Sequence, residues 1–336
     1  MSARRVAVEP GHRPRSVLRL RDHGRVIVIR PLAEPDVDAA DRVMRTAFGT
    51  FLGAPDPTAM FGDAQCVRPR FAAEPDWAFA AELDGEVVGS SFATRWGSFA
   101  YFGPISVRED LWDRGIASRL LAPIVDLFEQ WHVRQAGLFT FAQSAKHVGL
   151  YQKFGFWPQH LTAVMTRPVA APTGAAHYAT YSQLPDAQRN AALGDCHGIT
   201  DAIFDGLDVA HEIRAIDEQG LGDTVLLTDA SGIAGFAACH CGAGEASSGT
   251  CFVKFAAVRP GPDAADLFER LLDSCELMAG DRGVEAIIAG VNVARHDAYR
   301  RLIARGYRTL IQGVRMHRPE GPGFCRPDVY VLDDLR

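Results

Sequence analysis

The chain has 336 residues, 47% hydrophobic and 23% charged, with 35 Lys and Arg against 41 Asp and Glu and a formal net charge of −6. That length suits about two domains, and no uninterrupted apolar run is long enough to cross a bilayer as a helix. The acidic body argues against nucleic-acid binding, and seven Cys in a chain of this size argue against a disulfide-stapled scaffold.

Residues 1–25 hold seven Arg against Glu9 and Asp22, a net of +5 that leaves −11 on the remainder. This Gly- and Pro-interrupted basic tail is expected to be disordered. Arg4-Arg5 precede no apolar export segment, so a cytoplasmic location is expected. Arg25 to Arg30 read as a strand and Asp36 to Phe48 as a helix, with Asp36 or Asp38 near its N-cap. Residues 53–76 are loop-like, and two strand-like runs from Trp77 to Thr94 flank Asp84-Gly85, a strong hairpin signal. An apolar strand from Ala100 to Val107 contains Gly103-Pro104, suited to a bulge because Pro cannot donate to a ladder. A polar turn and Gly115-Ile116-Ala117-Ser118 then open a long amphipathic helix that Pro123 should kink. After a short strand (137–142) come Ser144, Tyr151, Gly155 and Phe156 around a second helix, and residues 169–177 read as a linker.

The turn at Gly115 exposes the free N–H groups of a helix N-terminus, which with the helix dipole form an anion site. Gly115 has no Cβ to obstruct close approach. Taken alone, such a turn reads as an ordinary strand-to-helix connection. With Tyr151, Gly155 and Phe156 downstream, the segment resembles the GNAT superfamily of acyl-CoA-dependent N-acetyltransferases, marked by Gln/Arg-x-x-Gly-x-Gly/Ala and a later Tyr-x-x-x-Gly-Phe. Trp112 departs from the pattern, standing where Gln or Arg is usual.

The resemblance implies an α/β protein of the α+β type, with twisted, mostly antiparallel mixed sheets flanked by helices. It implies acetyl-CoA as co-substrate, no metal, and a small-molecule or peptide amine as acceptor, without nucleic-acid or membrane partners. Backbone N–H groups of Ile105, Ser106 and Val107 would bind the pantetheine. Arg114, Gly115, Ile116, Ala117 and Ser118 would hold the diphosphate, and Ser144, in the place of a frequent Asn, would bond the pantetheine. Tyr151 is the candidate general acid; the competing reading is a core aromatic. His147 is a possible relay or a plain surface histidine, and Glu82 and Tyr101 lie on strands near the expected cleft without identifying a base. Cys239-His240-Cys241 hints at metal, but in a strand His240 faces away from both Cys, so these read as core residues.

The pattern then repeats. A shift of 151 places sets Val107-Arg108 on Val258-Arg259, Gly155-Phe156 on Gly306-Tyr307 and Met165 on Met316, an internal duplication. The expected division is a tail (1–25), a catalytic domain (26–168), a linker (169–177), a degenerate second domain (178–320) and a C-terminal tail (321–336). In the second copy Asp263 replaces Trp112, Asp266 replaces Gly115 and Leu302 replaces Tyr151. These carboxylates can cap the helix N–H groups and repel an anion, so this copy is expected to have lost the cofactor site. The alternative reading is a duplicated, non-enzymatic sensor or scaffold that binds CoA or another small ligand.

Overall fold

A computed structural model describes residues 18–22, 25–169, 178–242 and 244–336. The first half comprises β1 (Leu18–Asp22), β2 (Arg25–Pro31), α1 (Val37–Leu52), α2 (Val67–Ala73), β3 (Ala78–Leu83), β4 (Glu86–Trp96), β5 (Phe99–Val107), α3 (Ile116–Gln130), β6 (Gln135–Thr140), α4 (Ala145–Gln152) and β7 (Trp157–Pro168). The second comprises β8 (Ala179–Thr180), α5 (Asp186–Ile203), α6 (Ala210–Gln219), β9 (Gly222–Asp229), β10 (Gly232–Gly242), β11 (Ser247–Val258), α7 (Ala264–Asp281), β12 (Ala286–Asn292), α8 (His296–Ala304), β13 (Arg308–Arg318) and β14 (Val331–Leu332). The ends of β5 and β11, and the starts of β7 and β13, lie 151 positions apart, the interval of the sequence repeat.

The basic tail needs correction where it is described. Leu18–Asp22 is a strand paired antiparallel with β2, Asp22 opposite Arg25. Its Leu-Arg-Leu-Arg alternation is a strand signal that the arginine count had hidden. Residues 1–17, and 170–177 of the linker, lie outside the described residues. At the expected hairpin, Asp84 (φ 52°) and Gly85 (φ 88°) both take positive φ, as a type I′ turn requires. Along α3, Ile116, Leu120, Leu121, Ile124, Leu127 and Phe128 form one buried stripe against the front of the sheet. Assigned helix runs unbroken through Pro123.

All named strands join one mixed sheet, in the order β1-β2-β3-β4-β5-β6-β13-β7-β12-β11-β10-β9-β8, with β14 beside β11. The mixed α/β class expected from the sequence is present, but the halves share their sheet. β13 lies between β6 and β7, and β7 between β13 and β12, so the halves have exchanged their last strands. Duplicated halves make this possible, because equivalent strands offer equivalent edges, as in domain swapping. On the face opposite α3, helices α5 and α6 pack with Trp96, Phe99 and Tyr101 of the first half and Phe236 and Phe255 of the second.

The C-terminal residues are not a peripheral tail. β14 pairs antiparallel with β11 (Ala256↔Leu332, Ala257↔Val331), and Asp333, fully buried, accepts hydrogen bonds from Arg295 (2.6 Å) and Arg315 (2.5 Å). Gly290 of β12 faces this segment so closely that a Cβ there would lie 2.3 Å from the Asp334 Cβ. Gly290→Ala should therefore destabilise the fold by about 1–3 kcal/mol, read as a lowered thermal midpoint.

Candidate active site

β5 and β6 pair in parallel only at Phe99↔Gln135, Ala100↔Ala136 and Tyr101↔Gly137. Beyond Tyr101 they part: among the described residues β5 keeps only β4 as a strand neighbour, while β6 runs on beside β13. Ser91 pairs with Ile105 and Ala93 with Phe102, so one β4 residue faces two on β5, Gly103 and Pro104, and the expected bulge is there. Ile105, Ser106 and Val107 pair with β4 on one edge, and their other edge faces the splay.

The turn that follows is built for close approach. Gly115 is the N-cap of α3 at φ 72°, and it makes no side-chain cap to the first-turn N–H groups. The Arg119 guanidinium donates to the Arg114 carbonyl (3.0 Å), and Arg114 to that of Asp110 (3.4 Å). Trp112, the departure from the family pattern, donates its indole N–H to the Val107 carbonyl (2.7 Å) and so ties the turn to the end of β5. Lys146, from the start of α4, sits 5.5 Å above the Trp112 ring and 2.6 Å from the Asp113 carboxylate. A missing Cβ, a helix start without a side-chain cap and nearby cations fit an anionic diphosphate.

Tyr151 stands at the splay itself. Its ring packs edge-on against Phe102 (5.5 Å), its hydroxyl lies on the side of Thr140 at the end of β6, and the residue is 6% exposed. Burial, against the smaller opposing effect of the Thr140 hydroxyl, pushes the phenol up to about 12. Ser144 is the N-cap of α4, and its hydroxyl accepts from the His147 N–H (3.4 Å). The His147 ring packs 4.8 Å from Phe51, and burial lowers its pKa, followed by the charge of Lys146. Glu82 accepts from Arg30 (2.7 Å), an ion pair that occupies it.

A thiol titrates about three units below a phenol at 12, so outright proton transfer from Tyr151 to a thiolate would cost roughly 4 kcal/mol. Donating a hydrogen bond to the developing charge is the role this pKa suits. If Tyr151 faces the departing thiol, as proposed below, Tyr151→Phe should lower kcat about 10–100-fold, the value of one charge-assisted bond, with KM for acetyl-CoA little changed. Because Tyr151 stays protonated, wild-type kcat should show no alkaline loss due to it below about pH 11. Steady-state kinetics across pH check both outcomes.

The second copy closes the equivalent place differently from expectation. β11 and β12 pair from Thr250↔Ala286 to Val253↔Ala289 and then part, but β14 enters the gap and pairs with β11. Asp263 stands at the N-cap of α7 without a side-chain cap bond, so the expected capping by that carboxylate is corrected. The chain's own strand fills the rear splay, and Leu302 is buried in the core.

One cluster escaped sequence reading because its parts come from α2, α6, β10, β11 and a turn. Arg70 grips Glu245 with two bonds of 2.8 Å, and Lys254 donates to the same carboxylate (2.7 Å). Burial opposes the Glu245 charge, but Arg70 and Lys254 outweigh it and hold the carboxyl well below its usual range. Arg70 also donates to the Gly103 carbonyl in the β5 bulge. Glu212 accepts from the Trp96 indole (3.4 Å), and Tyr101 points to this side of the sheet. Strand parity did predict that His240 turns away from Cys239: His240 lines this cluster, and Cys239 lies in the second-half core.

Residues 43–156 match the sequence model of the Acetyltransferase (GNAT) family. Among solved structures, a presumed acetyltransferase of Pyrococcus horikoshii is similar over 96% of this chain and 97% of its own, at 17% identity and a TM-score of 0.63. A GCN5-related N-acetyltransferase of Sphaerobacter thermophilus (87% and 95% covered, 16% identity, TM-score 0.55) and a tandem GNAT protein from the clavulanic acid biosynthesis pathway (87% and 98%, 14%, 0.53) share the fold. No curated protein sequence matches the chain. The first half thus carries a GNAT-family domain within a chain that has the tandem GNAT fold.

Proposed function

We propose that the first half transfers an acetyl group from acetyl-CoA to a primary amine, and that the second half has kept the fold and lost the donor site. The observation that carries this reading is the asymmetry of the two splays: among the described residues the front one has only β4 and β6 beside β5, and the rear one is filled by β14. Residues 26–168 and 178–320 are the corresponding domains of the proposal.

Acetyl-CoA would supply a thioester carbonyl that the amine attacks as the thiol leaves. Ile105, Ser106 and Val107 would offer backbone N–H groups along the splay and polarise that carbonyl. Gly115 through Ser118, with Arg114, would hold the diphosphate at the start of α3. Ser144 would reach the pantetheine arm, and Tyr151 would stabilise the departing sulfur.

The test is thiol release from acetyl-CoA on addition of a panel of primary amines. Turnover in the wild type and its loss in Gly115→Asp are expected; activity that survives that substitution would place the chemistry in the rear half.

A further inference from the structure

The parity that turns His240 away from Cys239 also puts Cys239 and Cys241 on one face of β10, and the register brings a third cysteine opposite them. We propose that Cys241 and Cys251 form a reversible redox site: a small-molecule disulfide oxidises this dithiol to a cross-strand disulfide, which closes the base of the turn by which the second half holds the first. Neither the donor site nor the acceptor enters into it.

β10 and β11 pair Cys241 directly with Cys251. The Cys241 N–H points away from β11 and donates to the Leu221 carbonyl, just before β9 (2.8 Å), while Cys251 has Ile287 of β12 on its other side. The two cysteines are therefore a non-hydrogen-bonded antiparallel pair, the kind whose Cα atoms stand about 4.5 Å apart with close side chains. A disulfide spans roughly 4.4–6.8 Å between Cα atoms, so the bond can close without moving either strand. Cys239 faces Val253 and meets Cys251 only on the diagonal, at about 7–8 Å, which is too far for a bridge.

All seven cysteines are free thiols; Cys241 is half-buried, whereas Cys239, Cys251 and Cys275 are buried. A reagent from solvent thus meets Cys241 first, with Cys251 behind it. The Cys251 thiol, followed by burial, raises the Cys241 pKa, and the Cys239 and Cys241 thiols, against burial, hold Cys251 well below the usual thiol range. Entry at Cys241 is then the slow step, and Cys251 is the better nucleophile for closure.

The Cys241 sulfur attacks one sulfur of the small disulfide, and the other half leaves as a thiol with the Cys241 proton. Cys251 then attacks the Cys241 sulfur, the mixed S–S bond breaks, and the second half leaves as a thiol with the Cys251 proton. The protein has lost two electrons and two protons, and the reagent has become two thiols. Excess thiol reverses both steps, and under reducing conditions the dithiol is the resting form.

The turn Gly244–Ala246 lies between the two cysteines and carries contacts onto the first half. The Gly244 carbonyl accepts from the Gln65 N–H (2.7 Å), Glu245 holds Arg70 (2.8 Å), and the Ser248 N–H donates to Asp63 (3.2 Å). Arg70 in turn donates to the Gly103 carbonyl in the β5 bulge. A covalent link at the base of this turn limits its opening, so oxidation tightens the junction between the halves.

The test treats the full chain with glutathione disulfide and maps the cysteines under alkylation. Trypsin cuts after Arg214 and Lys254 and leaves Cys239, Cys241 and Cys251 on one peptide, and cleavage after Glu245 parts Cys241 from Cys251. In the oxidised wild type the two fragments should stay joined until dithiothreitol is added. They should stay joined in Cys239→Ser and separate in Cys241→Ser. In Cys251→Ser the exchange should stop halfway, with glutathione retained on Cys241. Amide exchange around Glu245 should slow on oxidation by up to about 100-fold, the limit set by closing a loop of about ten residues. If a variant misfolds, the wild-type map and its fragment masses decide alone. Separate fragments in the oxidised wild type, or fragments still joined in Cys241→Ser, would overturn the redox site. A disulfide that leaves the Glu245 exchange unchanged would overturn its part in closing the turn.

Discussion

Gly115→Asp is expected to weaken acetyl-CoA binding at least 100-fold while the protein stays folded. Asp tolerates positive φ better than most side chains, and the nearest atom to a new Cβ, at 3.2 Å, is the flexible end of Arg119. The added carboxylate would sit at the start of α3, where the diphosphate is proposed to lie. Two like charges about 4 Å apart at an effective dielectric of 20 repel by roughly 4 kcal/mol, enough for two to three orders of magnitude in affinity. The rear copy already carries Asp266 at the matching position. Calorimetric titration, with circular dichroism as the fold control, reads the outcome.

Asp333→Ala is expected to cost about 3–5 kcal/mol of stability, because it leaves the Arg295 and Arg315 guanidinia buried without their shared carboxylate. Arg295 retains the carbonyls of Phe324 and Val331, which offset part of the loss. Burial alone would raise the Asp333 pKa, but Arg295 and Arg315 outweigh it and hold the group below the usual carboxylate range. A depressed folded pKa contributes stability that is complete above about pH 4 and is lost as the pH falls through the folded value. Wild-type stability should therefore fall more steeply than that of Asp333→Ala below about pH 4, which denaturant titrations at several pH values would show.

What the sequence made legible was local. Gly103-Pro104 marked the bulge, Asp84-Gly85 the hairpin, and Gly115 with Tyr151 the two ends of a motif, because each depends on a short run of backbone. The repeat of 151 was legible because equivalent elements keep equivalent residues. The exchange of β7 and β13 was not, since either copy's last strand fits either edge and periodicity carries no address. The plug was missed for a related reason: Val331-Leu332 is too short to read as a strand, and its partners are Ala256 and Ala257, some 75 residues earlier. Glu212 and His240 come together only through tertiary packing of α6 against β10, which no spacing encodes. The acid residues of the rear copy were read as the seal; β14, which no spacing announced, also pairs with β11 where β12 has parted from it.

The central claim is that the front splay alone accepts the donor. Isothermal titration of the full chain with acetyl-CoA should give one site per chain, retained in Asp266→Gly and lost in Gly115→Asp. Two sites, no site, or a single site indifferent to Gly115→Asp would contradict it.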